Sequence, residues 1–309
     1  MKRKIGKRFL QFIPVLLGIT FLTFALMYIS PANPAGIRLS AQGVTPSPEA
    51  VEALQEKMGL NRPFLVQYFD WLWKLLRGDF GRSYADDVKV ADKLLVALPY
   101  TLRLAFLSMG LTLLLSIPTG IYIAARKNKF ADYIVRFLSF VGNAVPNFII
   151  GVVLLYIVSY RLKWIGILEE SKNIGMILPS LTLALVMSSR FIRQIRAATL
   201  DELGQEYIVA MRARGISDRV ILYKNVLKNI MITVVTLSGI SLGSLLGGTM
   251  VVETIFNWPG VGSVVMEAIS ARDYPVIQAF VVWVATIYML VNLLTDISYT
   301  WFNPKIRDI

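Results

Sequence analysis

Long apolar runs separated by short charged segments limit this chain more than any other feature. A helix crossing a bilayer needs roughly 17–25 mostly apolar residues. Six stretches meet that length: 9–29, 98–125, 134–158, 178–195, 230–252 and 279–301. Hydrophobic residues make up 55% of the 309 positions and charged residues only 17%, against about 25% charge in a soluble domain. That apolar excess is too large for one buried core, so part of it needs a second apolar solvent. The chain therefore reads as an all-α membrane protein of six transmembrane helices. Lys2, Arg3, Lys4, Lys7 and Arg8 precede the first run as they would in a secretory signal. The run is longer than a signal's apolar region of roughly 7–15 residues and no A-x-A-like cleavage site follows it, so it is kept as the first membrane helix.

Charge orients the bundle. With the N-terminus inside, segments 1–8, 126–136, 190–228 and 305–309 carry 19 Lys and Arg against six acids, while the outer segments carry 12 basic and 13 acidic residues. Basic residues gather on the cytoplasmic side of membrane proteins, so both termini are expected inside. The net charge of +12 then records topology rather than a nucleic-acid partner; the bilayer is the expected surroundings. The chain contains neither Cys nor His. Disulfides, thiol catalysis, imidazole bases and the usual zinc sites are thereby excluded, and no metal site is expected.

Three parts follow: a basic cytoplasmic terminus over 1–8, a first helix and extracytoplasmic loop over 9–97, and a five-helix core over 98–309. In the loop, Ser47 is placed to cap a helix with Pro48 at its first position, Glu49 and Glu52 in its first turn and Gly59 as a left-handed end. Residues 64–76, with Trp71 and Trp73 and with Asp70 four residues before Lys74, predict an amphipathic helix at the membrane interface. Asn143, Pro146 and Asn147 sit together in the third run, read either as a kink facing a wet pathway or as a packing kink. Gly239, Gly243 and Gly247 recur every four residues, a seam for close helix approach within the chain or against a second subunit. Arg103 and Asp296 are ionisable residues inside expected spans, where such groups are functional candidates unless they snorkel. Glu253 and Trp258 mark the outer mouth of the fifth run, a candidate gate or docking contact.

The most informative segment is 190–229. Arg190, Arg193 and Arg196 recur at three-residue steps as the fourth run leaves the membrane, spaced to meet lipid phosphates. A short helix follows, interrupted at Gly215 and resumed after Ser217 and Asp218. The pattern admits two readings, a docking knob for a partner or a well-packed loop.

The run from Glu206 through Tyr207, Ala210, Arg212 and Arg214 to Gly215, followed by Asn225 and Asn229, resembles the EAA loop of ABC-importer permeases. It is closest to the version found in the dipeptide/oligopeptide/nickel family. Tyr207, Arg212 and Arg214 depart from the motif in its simplest form but fit that family. The resemblance extends along most of the chain. Its markers are 14–18, 31–34, 59–63, Gln67-Tyr68, 78–83, 99–104, 247–250, 253–256, 258–262, 272–277, Asn292, Asp296 and 303–307.

The resemblance implies a multi-pass permease of the prokaryotic inner membrane and not an enzyme. It pairs with a second homologous permease, is driven by two cytoplasmic ATP-binding subunits and is supplied by an extracytoplasmic solute-binding lipoprotein. ATP and Mg are expected on the partner subunits and no cofactor on this chain, which has no GxxxxGK[ST] motif for nucleotide phosphates. Within the loop 196–228, Glu206, Ala210 and Gly215 are expected to form the coupling helix. Segments 37–40, 45–50 and 68–73 look more like nickel permeases than dipeptide ones, so nickel or a nickel chelate is the expected cargo and small peptides the alternative. Lacking His and Cys, the chain would pass a metal hydrated or chelated. An ion-coupled secondary transporter is the distant alternative; it would need acids or broken helices at mid-membrane.

Overall fold

A backbone in lipid has to satisfy its own polar groups, and a helix does this within one segment. The computed structural model describes residues 2–30, 33–41, 43, 45–164 and 175–302, with side chains apart from those of 2–10, 248 and 296–302. In chain order the helices are α1 (Lys2–Ile29), α2 (Pro34–Ala41), α3 (Pro48–Met58), α4 (Phe64–Leu76), α5 (Val90–Ala125), α6 (Phe130–Ala144) and α7 (Asn147–Leu154). They continue with α8 (Ile177–Leu203), α9 (Glu206–Ala213), α10 (Asp218–Val220), α11 (Leu227–Gly248), α12 (Met250–Ile255), α13 (Val261–Ser270) and α14 (Tyr274–Phe302). π-helical turns occupy Leu155–Arg161 and Ile221–Val226. The described residues contain no strand, only a single bridge between Arg82 and Lys89, and the all-α expectation holds.

Among the described residues four helices are long and apolar enough to cross a membrane: Gln11–Ile29, Val90–Ala125, Asp218–Gly247 and Tyr274–Thr295. The third expected span is not one straight helix. It breaks between α6 and α7 with a bend of 102°, and the bent pair makes a fifth candidate. Pro146 causes the break: it lacks an amide proton and forces Val145 out of the helical region, to φ −85° and ψ 126°. The fourth expected stretch lies within α8, which falls short in apolarity. Its buried face carries Ser180, Thr182, Ser188, Ser189 and Thr199, so the helix is built to face protein as much as lipid.

The chain forms two compact units. One comprises residues 1–101, 246–254 and 259–290, the other 102–245, 255–258 and 291–309. In the first, Val90, Leu94 and Ala97 of α5 pack with Val261, Val265 and Ala268 of α13 and with Val276, Ala279 and Phe280 of α14. The loop helices form as their caps dictate. Ser47 Oγ accepts the Ala50 amide at 3.2 Å, and Gly59 closes α3 at φ 70°. The aromatic face of α4 serves α1, with Phe64 and Tyr68 edge-on to Phe21 at 5.5 and 5.4 Å. Its outer face leaves Phe69 and Trp73 exposed. Asp70 is bound by Arg62 at 2.9 Å.

In the second unit α6 lies against α8. A Cβ at Gly142 would stand 2.3 Å from Ser189 Oγ, so any larger residue there would make that hydroxyl turn away. At the opposite end of α6, buried Asp132 takes Arg196 in a two-point ion pair, Nε to Oδ1 at 2.6 Å and Nη2 to Oδ2 at 2.7 Å.

Candidate functional site

Helix α9 is the segment that the sequence singles out. Gln205 starts it in extended conformation and Glu206 stands in its first turn, where the helix dipole favours an acid. Gly215 ends it at φ 76°, with its amide on the Arg212 carbonyl at 2.9 Å and the Ile216 amide on the Met211 carbonyl at 3.2 Å. This left-handed reversal is a conformation that glycine adopts without strain. Arg212 then bridges the turn to Asp218 at 3.1 Å. Ile208 alone among the α9 side chains is fully buried; Glu206, Val209, Ala210, Arg212 and Arg214 are exposed. Glu206, Ala210 and Gly215 are thus brought together on one outward segment.

A small polar cluster ties that segment down. Tyr207 Oη donates to Glu202 Oε1 at 2.5 Å, and Asn229 Nδ2 donates to the same carboxylate oxygen at 2.7 Å and to Tyr207 Oη at 3.1 Å. One residue from the end of α8, one from α9 and one from α11 therefore meet. Burial pushes the Tyr207 hydroxyl up to about 12, and the neighbouring Glu202 carboxylate adds to the rise. Sequence reasoning marked Tyr207 and Asn229 but not Glu202, whose share in the cluster shows only when α8 and α9 are folded side by side.

Glu253 lies in a different setting. It is fully buried, and four donors converge on its carboxylate. Thr101 and Thr249 hydroxyls reach Oε1 at 2.8 and 2.9 Å, and the Gly262 and Ser263 amides reach Oε2 at 2.7 and 3.2 Å. The two amides belong to the first turn of α13, whose N-cap is Gly260 and has no side chain to offer; Glu253 caps that helix from α12. Thr101 Oγ1 accepts the Val261 amide at 2.8 Å as well. A Cβ at Gly260 would sit 2.4 Å from Glu253 Oε2, and one at Gly262 2.5 Å from Met250 Cα, so the carboxylate and the glycines require one another. Thr101 and Thr249 are residues the sequence reading missed; Thr249 stands one helical turn before Glu253, a spacing that could have flagged it, whereas Thr101 is 152 positions away. Trp258 is buried.

The remaining candidates are placed as follows. Asn143 and Pro146 are exposed and Asn147 half-buried, at the elbow between α6 and α7. The glycine seam faces the chain's own last helix: a Cβ at Gly239 would lie 1.9 Å from Thr295 Oγ1, and one at Gly247 3.1 Å from Val284 Cγ1. Gly243 is buried. Arg103 is exposed on α5. The side chain of Asp296 lies outside the described residues. Of the three arginines leaving the fourth stretch, Arg196 is committed to Asp132 rather than free for lipid. Among the described residues no group of three His, Cys, Asp or Glu is arranged to hold a metal ion.

Residues 116–308 match the family described as the inner membrane component of binding-protein-dependent transport systems, and residues 1–105 match the N-terminal region of that component. The chain belongs to this family of inner-membrane transport components. It is 37% identical to the oligopeptide transport system permease protein AppB of Bacillus subtilis, over 99% of this chain and 100% of that protein. It is 33% identical to the dipeptide transport system permease protein DppB of Alkalihalophilus pseudofirmus, over 97% and 98%. It is 37% identical to the nickel import system permease protein NikB of Staphylococcus aureus, over 97% and 90%. Two crystal forms of the inward-facing MetNI methionine ABC transporter share its fold, with TM-scores of 0.56 and 0.58 at 17% identity, over 68% of this chain and 96% of theirs.

Proposed function

We propose that the chain is the pathway-forming permease subunit of an ATP-driven importer. In this reading it crosses the inner membrane six times with both termini inside, and α9 is the coupling helix on which a cytoplasmic ATPase docks. The basic terminus 1–8 lies inside, the loop within 9–97 meets an extracytoplasmic binding protein, and the core 98–309, with the coupling loop 196–228, forms half of the pathway beside a second homologous permease. ATP and Mg are held by two partner ATPases.

The observation that carries this reading is the shape of α9: a helix held by a single buried side chain and a three-residue polar cluster, with most of its other side chains outward. Such a segment suits contact with another protein better than service in its own core. The elbow at Asn143–Asn147 supports the pathway assignment. Irregular backbone at membrane depth is tolerated only where protein or water covers it, so the elbow is read as facing the second permease or an aqueous path. Within the family we read nickel or a nickel chelate as the cargo, on the likeness of the outer loop. Import of di- or oligopeptides has equal support from the relatives.

The test uses the assembled importer in proteoliposomes. Glu206→Lys and Gly215→Asp are expected to abolish ATP-driven uptake with membrane insertion intact, and normal uptake by both removes α9 from the mechanism. Calorimetry of the cognate binding protein with Ni²⁺, a nickel chelate and dipeptides decides the cargo; heat with dipeptide alone discards the nickel reading.

A further inference from the structure

We propose that a cavity between α6 and α8 is a headgroup site for an anionic phospholipid of the cytoplasmic leaflet. The proposal rests on the inside-facing orientation given above to segments 126–136 and 190–228.

Tyr133, Arg136, Phe137 and Phe140 fall at positions i, i+3, i+4 and i+7, which places them on one stripe of α6. With Arg193 and Arg196, one turn apart on α8, they line an open cavity of about 490 Å³, a volume in the range of small-molecule sites. Three guanidiniums border it. Asp132 engages Arg196 through both oxygens and accepts the Asn128 amide at 3.0 Å, so its carboxylate is spent. Arg193 gives one N–H to the Ser139 carbonyl at 3.2 Å, which fixes its place, and a guanidinium has five to give. Arg136 lies with its guanidinium carbon 5.8 Å from the Tyr133 ring. Among the described residues neither Arg136 nor Arg193 has an acidic partner.

Asp132 acts on Arg136 only at a distance, and two planar forks without a contact ion pair over one cavity match a phosphate group, whose oxygens accept paired N–H bonds. The apolar wall selects the lipid over a free anion. Phe137 and Phe140 are 66% and 68% exposed, and Leu138 and Val141 beside them are exposed too. In the proposed orientation the stripe runs from the arginine end of α6 toward the membrane interior. A headgroup at the arginines leaves acyl chains along the aromatic wall; a hydrated ion gains nothing there. Basic pockets between helices on the cytoplasmic side are suited to anionic lipid headgroups.

The experiment is native mass spectrometry of the purified full chain in detergent, titrated with phosphatidylglycerol, with phosphatidylcholine, and with inorganic phosphate as competitor. Phosphatidylglycerol is expected to be retained over phosphatidylcholine, and Arg136→Gln with Arg193→Gln to weaken it about tenfold. Lys224→Gln with Lys228→Gln removes the same charge elsewhere and is expected to keep the wild-type affinity. If the arginine pair does not yield a monodisperse protein, Tyr133→Glu, an exposed position on the cavity rim, is expected to repel the same lipid. Wild-type affinity in either cavity variant overturns the site, as does equal loss in the lysine pair. Displacement of the lipid by excess inorganic phosphate overturns the lipid assignment in favour of a soluble anion.

Orientation is read separately, because the chain has no cysteine of its own. Lys129→Cys labelled by an impermeant maleimide from outside intact cells overturns the topology while leaving the lipid titration standing. Labelling only from inside, with no lipid selectivity, overturns the site alone.

Discussion

Glu206 and Glu253 have the same side chain and opposite surroundings. Glu253 is fully buried and satisfied by two hydroxyls and two amides of its own chain. Glu206 stands exposed at the start of a helix that rests on one buried isoleucine. Burying a carboxylate is costly unless donors replace its water, and here α5, the residue before α12 and the first turn of α13 supply them. That acid is committed to holding its own fold together. An acid left in solvent at a helix start is instead free to answer a partner. The contrast separates a residue whose loss harms the fold from one whose loss would harm only an interaction.

The largest effect is therefore expected at Glu253. Replacing it by alanine takes the acceptor from the Thr101 and Thr249 hydroxyls, uncaps the first turn of α13 and leaves buried polar groups unpaired, at about 1–3 kcal/mol for each such group. Glu253→Ala is expected to lower stability by about 3 kcal/mol or more, read as a clear drop in melting temperature in detergent. Glu253→Gln keeps one oxygen for the amides and turns its NH2 toward hydroxyls that can rotate to accept, so most of the loss is expected to be spared. An alanine variant that melts with wild type would erase the distinction between the two glutamates.

Which of these two roles each glutamate takes was not equally visible in the sequence. The α9 helix could be read from local chemistry: Glu206 in a first turn, a glycine nine residues on, Ser217 and Asp218 to restart. The same holds for α3, where Ser47, Pro48 and Gly59 fix both ends. The role of Glu253 could not, because Thr101 stands 152 positions away and meets it only through the packing of α5 against α12 and α13. Asp132 was hidden for the same reason: on paper it is one acid among the basic residues of 126–136, and folding places it under Arg196. The third expected span shows a different limit. Apolarity predicted its length, but one proline in its middle turned a single crossing into two helices 102° apart. Composition counts what lipid will accept; it does not register direction.

A smaller effect is expected at Gly215. Its φ of 76° is strained for any residue with a Cβ, at roughly 1 kcal/mol. Nothing lies within 4 Å of the position a Cβ would take, so no clash adds to the strain. Gly215→Ala is expected to cost about 1 kcal/mol of stability, while reducing ATP-driven uptake by a larger factor than that loss explains. Uptake that falls only in proportion to stability would place Gly215 with Glu253, as a residue serving its own fold.

The smallest effect belongs to Tyr207, and it sharpens the comparison from the exposed side. Tyr207→Phe removes a hydroxyl that donates to Glu202 and accepts from Asn229, but the cluster is partly open to solvent. The expected cost is under about 1 kcal/mol, with α9 amides exchanging faster and Asn229 keeping its own bond to Glu202. The direction with pH follows from the raised hydroxyl. Stability gained by holding this proton is fully present below the ordinary phenol value of about 10 and is lost as pH climbs toward about 12. Hydrogen exchange of α9 relative to α8 is thus expected to be flat between about pH 6 and 9, after correction for intrinsic rates, and to loosen only in strong alkali. A transition near neutral pH in the wild type, absent from Tyr207→Phe, would mean that the hydroxyl ionises far too readily for a helix held by Ile208 and an intact phenol.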